Sequence, residues 1–172
     1  MKKTVVPALI LTVICAVVVA LLVATNVLTA ERIAEEERKA MRASAETVLV
    51  ADRLEEIDGD GKNGYIGYAE DGSVTGYVLL GSAKGYGGTV TAVVGISEDG
   101  KILGVIIKAP DETPGLGANV AKDKFTSQFI GKDEVKDVDA VSGATYSSAA
   151  AEQAVKEALD KLDSVKGKEG EV

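Results

Sequence analysis

The chain begins with a long stretch that is largely apolar and carries no charge. This stretch covers residues 5–28, with Lys2 and Lys3 before it and Glu31 after it. A helix rises about 1.5 Å per residue, so the run is long enough to span the roughly 30 Å hydrocarbon core of a bilayer. The two lysines predict a cytoplasmic N-terminus, with the rest of the chain on the periplasmic or extracellular side of the cell membrane. We therefore predict an N-terminus and single transmembrane anchor over residues 1–29.

A cleaved signal peptide is the alternative interpretation of this run. Signal peptides have a shorter apolar region and small residues at the first and third positions before the cut. Here the apolar run is long, and Leu28 occupies the third position before a cut after Ala30. The sequence therefore favours a retained anchor.

Charged residues dominate the chain just after the anchor, and apolar ones return further on. Residues 31–39 contain charges at spacings that allow i,i+4 pairs, and Val48, Leu49 and Leu54 then form an apolar side. This pattern predicts a juxtamembrane helix over residues 30–57, ended by a turn at residues 58–61. The turn sequence Asp-Gly-Asp-Gly also resembles a calcium loop, but it lacks the closing glutamate of an EF-hand.

Short strand-like runs separated by glycine turns follow, and a helical pattern comes last. Asp71-Gly72 and Asp99-Gly100 lie between pairs of runs, as hairpin turns do, whereas residues 151–162 repeat small and apolar side chains at helical spacing. We predict an α+β fold in which an antiparallel sheet is flanked by helices. The domain would cover residues 58–163, before a flexible tail over residues 164–172. The predicted strands are residues 65–68, 74–80, 89–96 and 102–108.

The composition limits the chemistry that such a domain can perform. The chain has no histidine and a single cysteine, Cys15, which lies in the apolar run. This excludes His-ligated haem, most transition-metal sites, Cys-ligated iron–sulfur clusters, an intrachain disulfide and His-based acid–base catalysis. Redox chemistry would therefore need an organic cofactor. The net charge of −8 makes nucleic acid an unsuitable partner.

A hydroxyl-rich loop before the last helix is the first candidate for a binding site. It contains Asp139, Ser142, Gly143, Ala144 and Thr145 in a row of small residues. The N-terminus of a helix attracts phosphate, and small residues let a large group approach the backbone. Taken alone, the loop is compatible with a phosphate or anion site, but its residues favour ordinary N-capping by a serine or threonine.

Two further segments could line a ligand. Residues 112–117 read Glu-Thr-Pro-Gly-Leu-Gly, in which Pro114 fixes one dihedral angle and the glycines allow unusual ones. Residues 85–88 read Gly-Tyr-Gly-Gly at the start of a predicted strand. Taken alone, each segment is more readily explained as a structural turn or hairpin. The candidate residues in these two segments are Glu112, Thr113, Leu116, Gly117, Tyr86, Gly87 and Gly88.

Taken together and in this order, the three segments resemble a known family. The chain is similar to the FMN-binding domain shared by the G subunit of the Rnf complex and the C subunit of the Na⁺-translocating NADH:quinone oxidoreductase. The resemblance extends from the anchor to about Leu162, and the short chain is more similar to the Rnf protein. One departure is Pro110, where the family often has a histidine two residues before Glu112.

The resemblance implies a covalent flavin. The pattern Asp139-x-x-Ser142-Gly143-Ala144-Thr145 looks like the signal read by the flavin transferase ApbE. That enzyme would use FAD and Mg²⁺, transfer FMN to the Thr145 hydroxyl as a phosphoester, and release AMP. Asp139 would position or activate the loop during the transfer, or serve only as a turn residue. Tyr86 and Leu116 are the side chains that we expect to flank the flavin ring.

The resemblance also implies a role in electron transport. The chain would carry electrons through FMN as one component of a membrane-bound, ion-translocating ferredoxin:NAD⁺ oxidoreductase, with the other Rnf subunits and the bilayer as its partners. No catalytic or metal-binding residue of its own is expected. The alternatives are a part similar to the C subunit of a Na⁺-translocating NADH:quinone reductase, a stand-alone extracytoplasmic flavin carrier, a membrane-anchored scaffold without redox function, and a free-standing flavin enzyme.

Overall fold

The computed structural model describes residues 2–57 and 63–166, which form a long helix, a five-stranded sheet and shorter helices. Two units can be distinguished, residues 1–39 and residues 40–172. The elements are α1 (Lys2–Val48), β1 (Arg53–Glu56), β2 (Gly64–Tyr68), β3 (Val74–Lys84), β4 (Thr89–Ser97), β5 (Ile102–Lys108), a 3-10 turn (Gly117–Ala121), α2 (Asp123–Thr126), a second 3-10 turn (Ser127–Phe129), α3 (Thr145–Asp160) and α4 (Leu162–Lys166).

The first unit consists of the greater part of α1. Its apolar side chains over residues 9–28 are exposed, as expected for a surface that faces lipid. Among the described residues, α1 is the one helix that is long and apolar enough to cross a membrane.

The second unit is built on an antiparallel meander. The strands pair in the order β1-β2-β3-β4-β5, so each strand neighbours the next one in sequence. Hairpins connect β2 to β3 and β4 to β5 at the two Asp-Gly turns, where Gly72 and Gly100 have φ angles of 84° and 85°. The α+β prediction is confirmed.

One face of the sheet is covered by α3. The side of α3 that faces the sheet carries small residues, and Ala151, Ala154 and Ala158 have no exposed surface. Gly81 in β3 lies directly beneath this helix, and a Cβ atom there would overlap the carbonyl oxygen of Ala154. Small residues on both elements therefore let α3 approach the sheet closely, which fixes the position of its N-terminus.

The opposite face of the sheet is covered by the end of α1. Val48 and Leu49 are buried in a second apolar cluster with Tyr65, Val78 and Val93. The sheet has a glycine at the point of contact, because the backbone of Val48 lies against Gly95. The core of this unit therefore has apolar side chains on both faces of the sheet.

The structure corrects three boundaries predicted from the sequence. The helix predicted over residues 30–57 ends at Val48, and residues 53–56 form β1, which pairs with β2 from Arg53 opposite Tyr68 to Glu56 opposite Tyr65. Thr145 belongs to α3 rather than to the loop before it. The predicted tail begins inside α4, and residues 167–172 lie outside the described residues, as does the predicted turn at residues 58–61.

Candidate functional site

The meander brings the three sequence segments to one end of the sheet. Residues 85–88 follow β3 and residues 112–117 follow β5, and these two strands run in the same direction on either side of β4. The N-terminus of α3 completes the site. A cleft of about 390 Å³ lies between the segments. Its walls are formed by Tyr86, Glu112, Thr113, Leu116, Gly117, Gly143, Ala144, Thr145, Tyr146 and Ser147.

Thr145 is the first residue of α3, and its side chain is exposed at the cleft. Within the described residues no side chain caps this helix, because the N-cap position is held by Ala144. The first N–H groups of a helix have no partner inside the helix and carry a partial positive charge. Their charge favours an anionic group next to the Thr145 hydroxyl. Capping by serine or threonine, the alternative explanation of this loop, does not occur here.

The loop that leads into α3 is held in place although it is exposed. The side-chain amide of Gln128 accepts a hydrogen bond from the N–H of Asp139 at 2.7 Å and donates one to its carbonyl at 3.2 Å. Further along, the N–H of Val141 donates to Ser148 Oγ at 2.9 Å. Gly143 has a φ of 76°, which residues with a Cβ atom rarely adopt. The loop therefore presents Thr145 in a defined position.

Glu112 is the central polar residue of the site, and it is buried. Ser147 Oγ donates a hydrogen bond to its Oε2 at 2.6 Å, and the N–H of Gly87 donates to its Oε1 at 3.1 Å. The hydrogen bond from Ser147 lowers the pKa of Glu112, burial opposes this, and the N–H groups of Gly87, Tyr86 and Gly88 lower the pKa further. The ionised Glu112 therefore stabilises the folded domain at pH values above the ordinary pKa of a glutamate. This contribution is lost as the pH falls through the lowered pKa of Glu112.

Large side chains stand exposed around the cleft. Tyr86 is 76% exposed, Leu116 48% and Tyr146 77%. Exposed apolar and aromatic side chains that surround a concave site mark a surface for a flat, largely apolar ligand. Tyr86 and Leu116 are the two side chains that the sequence predicted to flank a flavin ring. Tyr146 was not predicted.

Not all of the predicted site residues line this cleft. Asp139 and Ser142 line a neighbouring cleft of about 710 Å³, together with Lys122, Lys124 and Gln128. Gly87 and Gly88 shape the turn after β3: Gly87 donates to Glu112, and the Gly88 carbonyl accepts a hydrogen bond from Gly85 at 2.8 Å.

Ser147 is the most informative residue that the sequence analysis missed. It is buried and its hydroxyl is bonded to Glu112, so it connects α3 to the segment after β5. The available signal was a hydroxyl residue near the predicted start of a helix, which is more readily interpreted as an N-cap candidate.

Comparison with known proteins defines the class. The family model of the FMN-binding domain matches residues 85–160, and that of the RnfG N-terminal region matches residues 1–48. The first match contains every residue that lines the Thr145 cleft, and the second coincides with α1 up to its last residue. The chain thus combines an apolar N-terminal helix with an FMN-binding domain.

Relatives that match more than two thirds of the chain identify the family. The chain is 36% identical to the G subunit of the proton-translocating ferredoxin:NAD(+) oxidoreductase complex of Clostridium ljungdahlii, over 68% of each chain. It is 34% identical to the G subunit of the ion-translocating oxidoreductase complex of Methanosarcina acetivorans, over 90% of this chain and 92% of that one. The chain belongs to the RnfG family, the G subunits of ion-translocating oxidoreductase complexes. The predicted family and the predicted FMN-binding domain are confirmed.

Among solved structures, the chain is similar to the crystal structure of Shewanella oneidensis NqrC. The sequence identity is 24% and the TM-score is 0.48. The match covers 62% of this chain and 57% of that one.

Proposed function

We propose that this chain carries FMN on the Thr145 hydroxyl and transfers electrons within a membrane-bound, ion-translocating ferredoxin:NAD⁺ oxidoreductase complex. The observation that carries the proposal is the position of Thr145. Its exposed hydroxyl stands at an uncapped helix N-terminus, on a cleft whose rim is aromatic and apolar. The relatives from Clostridium ljungdahlii and Methanosarcina acetivorans are G subunits of complexes of this kind.

The residues of the cleft fit the two ends of FMN. The N–H groups at the start of α3 suit a phosphate, because they supply donors and a partial positive charge. Tyr86, Leu116 and Tyr146 provide the broad apolar surface that a ring system needs. Gly143 and Leu116 line the cleft close to each other, because a Cβ atom added to Gly143 would meet Leu116 Cδ2 at 3.4 Å.

The protein would contribute attachment and orientation. FMN, when bound, supplies the electron-accepting and electron-donating chemistry. Thr145 would hold the phosphate covalently, which replaces a binding equilibrium by a permanent local concentration. The side chains at the rim would hold the ring against one end of the sheet and exclude water from part of it. Asp139 and Ser142, which face the neighbouring cleft, would be available to the flavin transferase ApbE during attachment.

The membrane arrangement is part of the same proposal. Lys2 and Lys3 before the apolar run favour a cytoplasmic N-terminus, so the FMN-binding domain would lie on the periplasmic or extracellular side. We expect alkaline phosphatase fused after Val172 to be active in cells, because this enzyme matures only outside the cytoplasm. An inactive fusion that is still expressed and membrane-bound would contradict the proposed sidedness.

The experiment that tests the proposed function is mass spectrometry of the full-length protein purified from a host that contains the flavin transferase. We expect the intact mass to increase by FMN minus one water, and the added mass to map to the peptide that contains Thr145. The band of this protein in a denaturing gel should also show flavin fluorescence. An unmodified protein from such a host would contradict the proposal.

Tyr86 and Leu116 are expected to affect the flavin without affecting its attachment. Because both side chains are exposed at the cleft, Tyr86→Ala and Leu116→Ala should change the flavin fluorescence and midpoint potential while the covalent mass remains. Ile130→Ala is a suitable control, since Ile130 is 53% exposed and is not among the residues that line the cleft. If fluorescence and potential were unchanged in both cleft variants, neither side chain would flank the ring.

A further inference from the structure

We infer that Glu112 is a positioning residue: its buried carboxylate ties the Tyr86 turn to the first turn of α3 and thereby sets the gap into which the flavin ring fits. The sequence alone placed Glu112 among the residues that bind the cofactor. In the structure both of its carboxylate oxygens already accept hydrogen bonds from other residues of the chain. This inference rests on the proposed function.

The carboxylate joins two elements that are far apart in the chain. One oxygen accepts a hydrogen bond from the N–H of Gly87, the residue that follows Tyr86. The other accepts one from the hydroxyl of Ser147, two residues after Thr145. The two sides of the cleft, one with the ring-flanking tyrosine and the other with the attachment point, are thus connected through a single side chain.

The surroundings of Glu112 are shaped to admit this side chain. A Cβ atom on Gly85 would collide with Oε1, and a Cβ atom on Gly117 would collide with Oε2. Gly117 also lies against the hydroxyl of Ser147. Glycine at both positions therefore leaves just enough room for the carboxylate between the two segments.

The chemistry of the contacts calls for a carboxylate. In the structure each group that is hydrogen-bonded to Glu112 acts as the donor: the hydroxyl of Ser147 and the N–H groups of the turn at residues 86–88. A carboxylate offers two negatively charged acceptor oxygens, whereas an amide offers one neutral acceptor oxygen and an NH₂ group that only donates. Glutamine has the same shape and could form both connections, because its carbonyl oxygen can accept from the turn and its NH₂ group can donate to the Ser147 hydroxyl, which also accepts. Both would then be neutral hydrogen bonds, which are weaker than those to a carboxylate.

The first measurement uses protein without flavin, so that it does not depend on attachment. In full-length Thr145→Ala protein in detergent, we expect Glu112→Gln to speed hydrogen exchange of the amides at residues 86–88 by at least about tenfold. Ser147→Ala removes the hydroxyl alone, and it should loosen the first turn of α3. Asp52→Asn is the matched control, since Asp52 Oδ2 accepts a hydrogen bond from the N–H of Glu70 at 2.9 Å, outside the cleft.

The second measurement uses protein that carries Thr145 and is produced together with the flavin transferase. We expect Glu112→Gln and Ser147→Ala to retain the covalent mass, while the fluorescence anisotropy of the flavin decreases towards that of a flavin on an unfolded peptide and its midpoint potential shifts. Asp52→Asn should give the wild-type anisotropy and potential. Ser147→Ala provides a second reading if Glu112→Gln does not fold.

The two measurements separate this inference from the proposed function. If Glu112→Gln sped amide exchange at residues 86–88 but the wild type carried no flavin, the connection through Glu112 would be supported and the proposed function contradicted. Attached flavin with wild-type anisotropy, potential and amide exchange in both variants would overturn the positioning role and leave the proposed function standing.

Discussion

Replacing Thr145 by alanine is expected to abolish the covalent flavin completely. The phosphoester needs a hydroxyl at this position, and the methyl group of alanine cannot form it. The fold should be retained, because Thr145 is exposed and surface substitutions away from caps and networks usually change the free energy of unfolding by less than about 0.5 kcal/mol. The measurement is intact mass together with flavin fluorescence in a denaturing gel, on protein produced with the flavin transferase.

Two further variants sharpen this prediction. Thr145→Ser keeps a hydroxyl at the first position of α3, so we expect it to retain the flavin at a reduced yield. Ser142→Ala removes a nearby exposed hydroxyl that faces the neighbouring cleft, so any loss should be in the rate of attachment and not in the final linkage. Flavin that stays on denatured Thr145→Ala protein would place the linkage elsewhere in the chain.

Among the variants considered, replacing Gly81 by alanine is expected to lower the free energy of unfolding the most. The new Cβ atom would overlap the backbone of Ala154, so α3 must move away from β3 or the strand must bend. Overpacking of a core costs typically about 1–3 kcal/mol, and a collision with backbone atoms belongs at or above the upper end of that range. Because α3 carries Thr145, flavin attachment should also fall.

Unfolding of the apo-protein in detergent can be followed by urea titration with tyrosine fluorescence. This signal reports on the second unit alone, since the five tyrosines lie between residues 65 and 146 and the chain has no tryptophan. Thr89→Val is the matched control, because Thr89 is an exposed strand residue and should change the stability little. An unfolding midpoint for Gly81→Ala equal to that of the wild type would contradict the close packing of α3 on β3.

The sheet and α3 could be predicted because patterns within short stretches of the sequence specify them. The two Asp-Gly turns between strand-like runs predicted the antiparallel order, and the helical spacing of small and apolar residues predicted α3. The strand β1 could not be predicted in this way. Its sequence Arg-Leu-Glu-Glu consists of residues that favour a helix, and it becomes a strand because β2 offers it a pairing edge.

For the site, too, the short motifs could be predicted from the sequence, whereas the contacts between them could not. The three segments were visible as motifs, yet their joint arrangement depends on the parallel course of β3 and β5. The role of Ser147 could not be predicted, because serine near a helix start is a common N-cap candidate and its partner Glu112 lies 35 residues away in the chain. The turn at Gly143 likewise separates Asp139 and Ser142 from the Thr145 cleft, although they share one motif.

The position of Thr145 on α3 limits how a flavin attached there, as proposed, could reach its partners. Many proteins that deliver a covalently held group do so with a swinging arm, a long side chain or flexible loop that visits one partner after another. Thr145 is instead the first residue of a 16-residue helix whose inner side is packed on β3 and β4. The attachment point is therefore fixed relative to the sheet, and an FMN held there could move only as far as its own ribityl phosphate allows. Delivery must then depend on partners that come within reach of a stationary cleft, or on displacement of the entire FMN-binding domain.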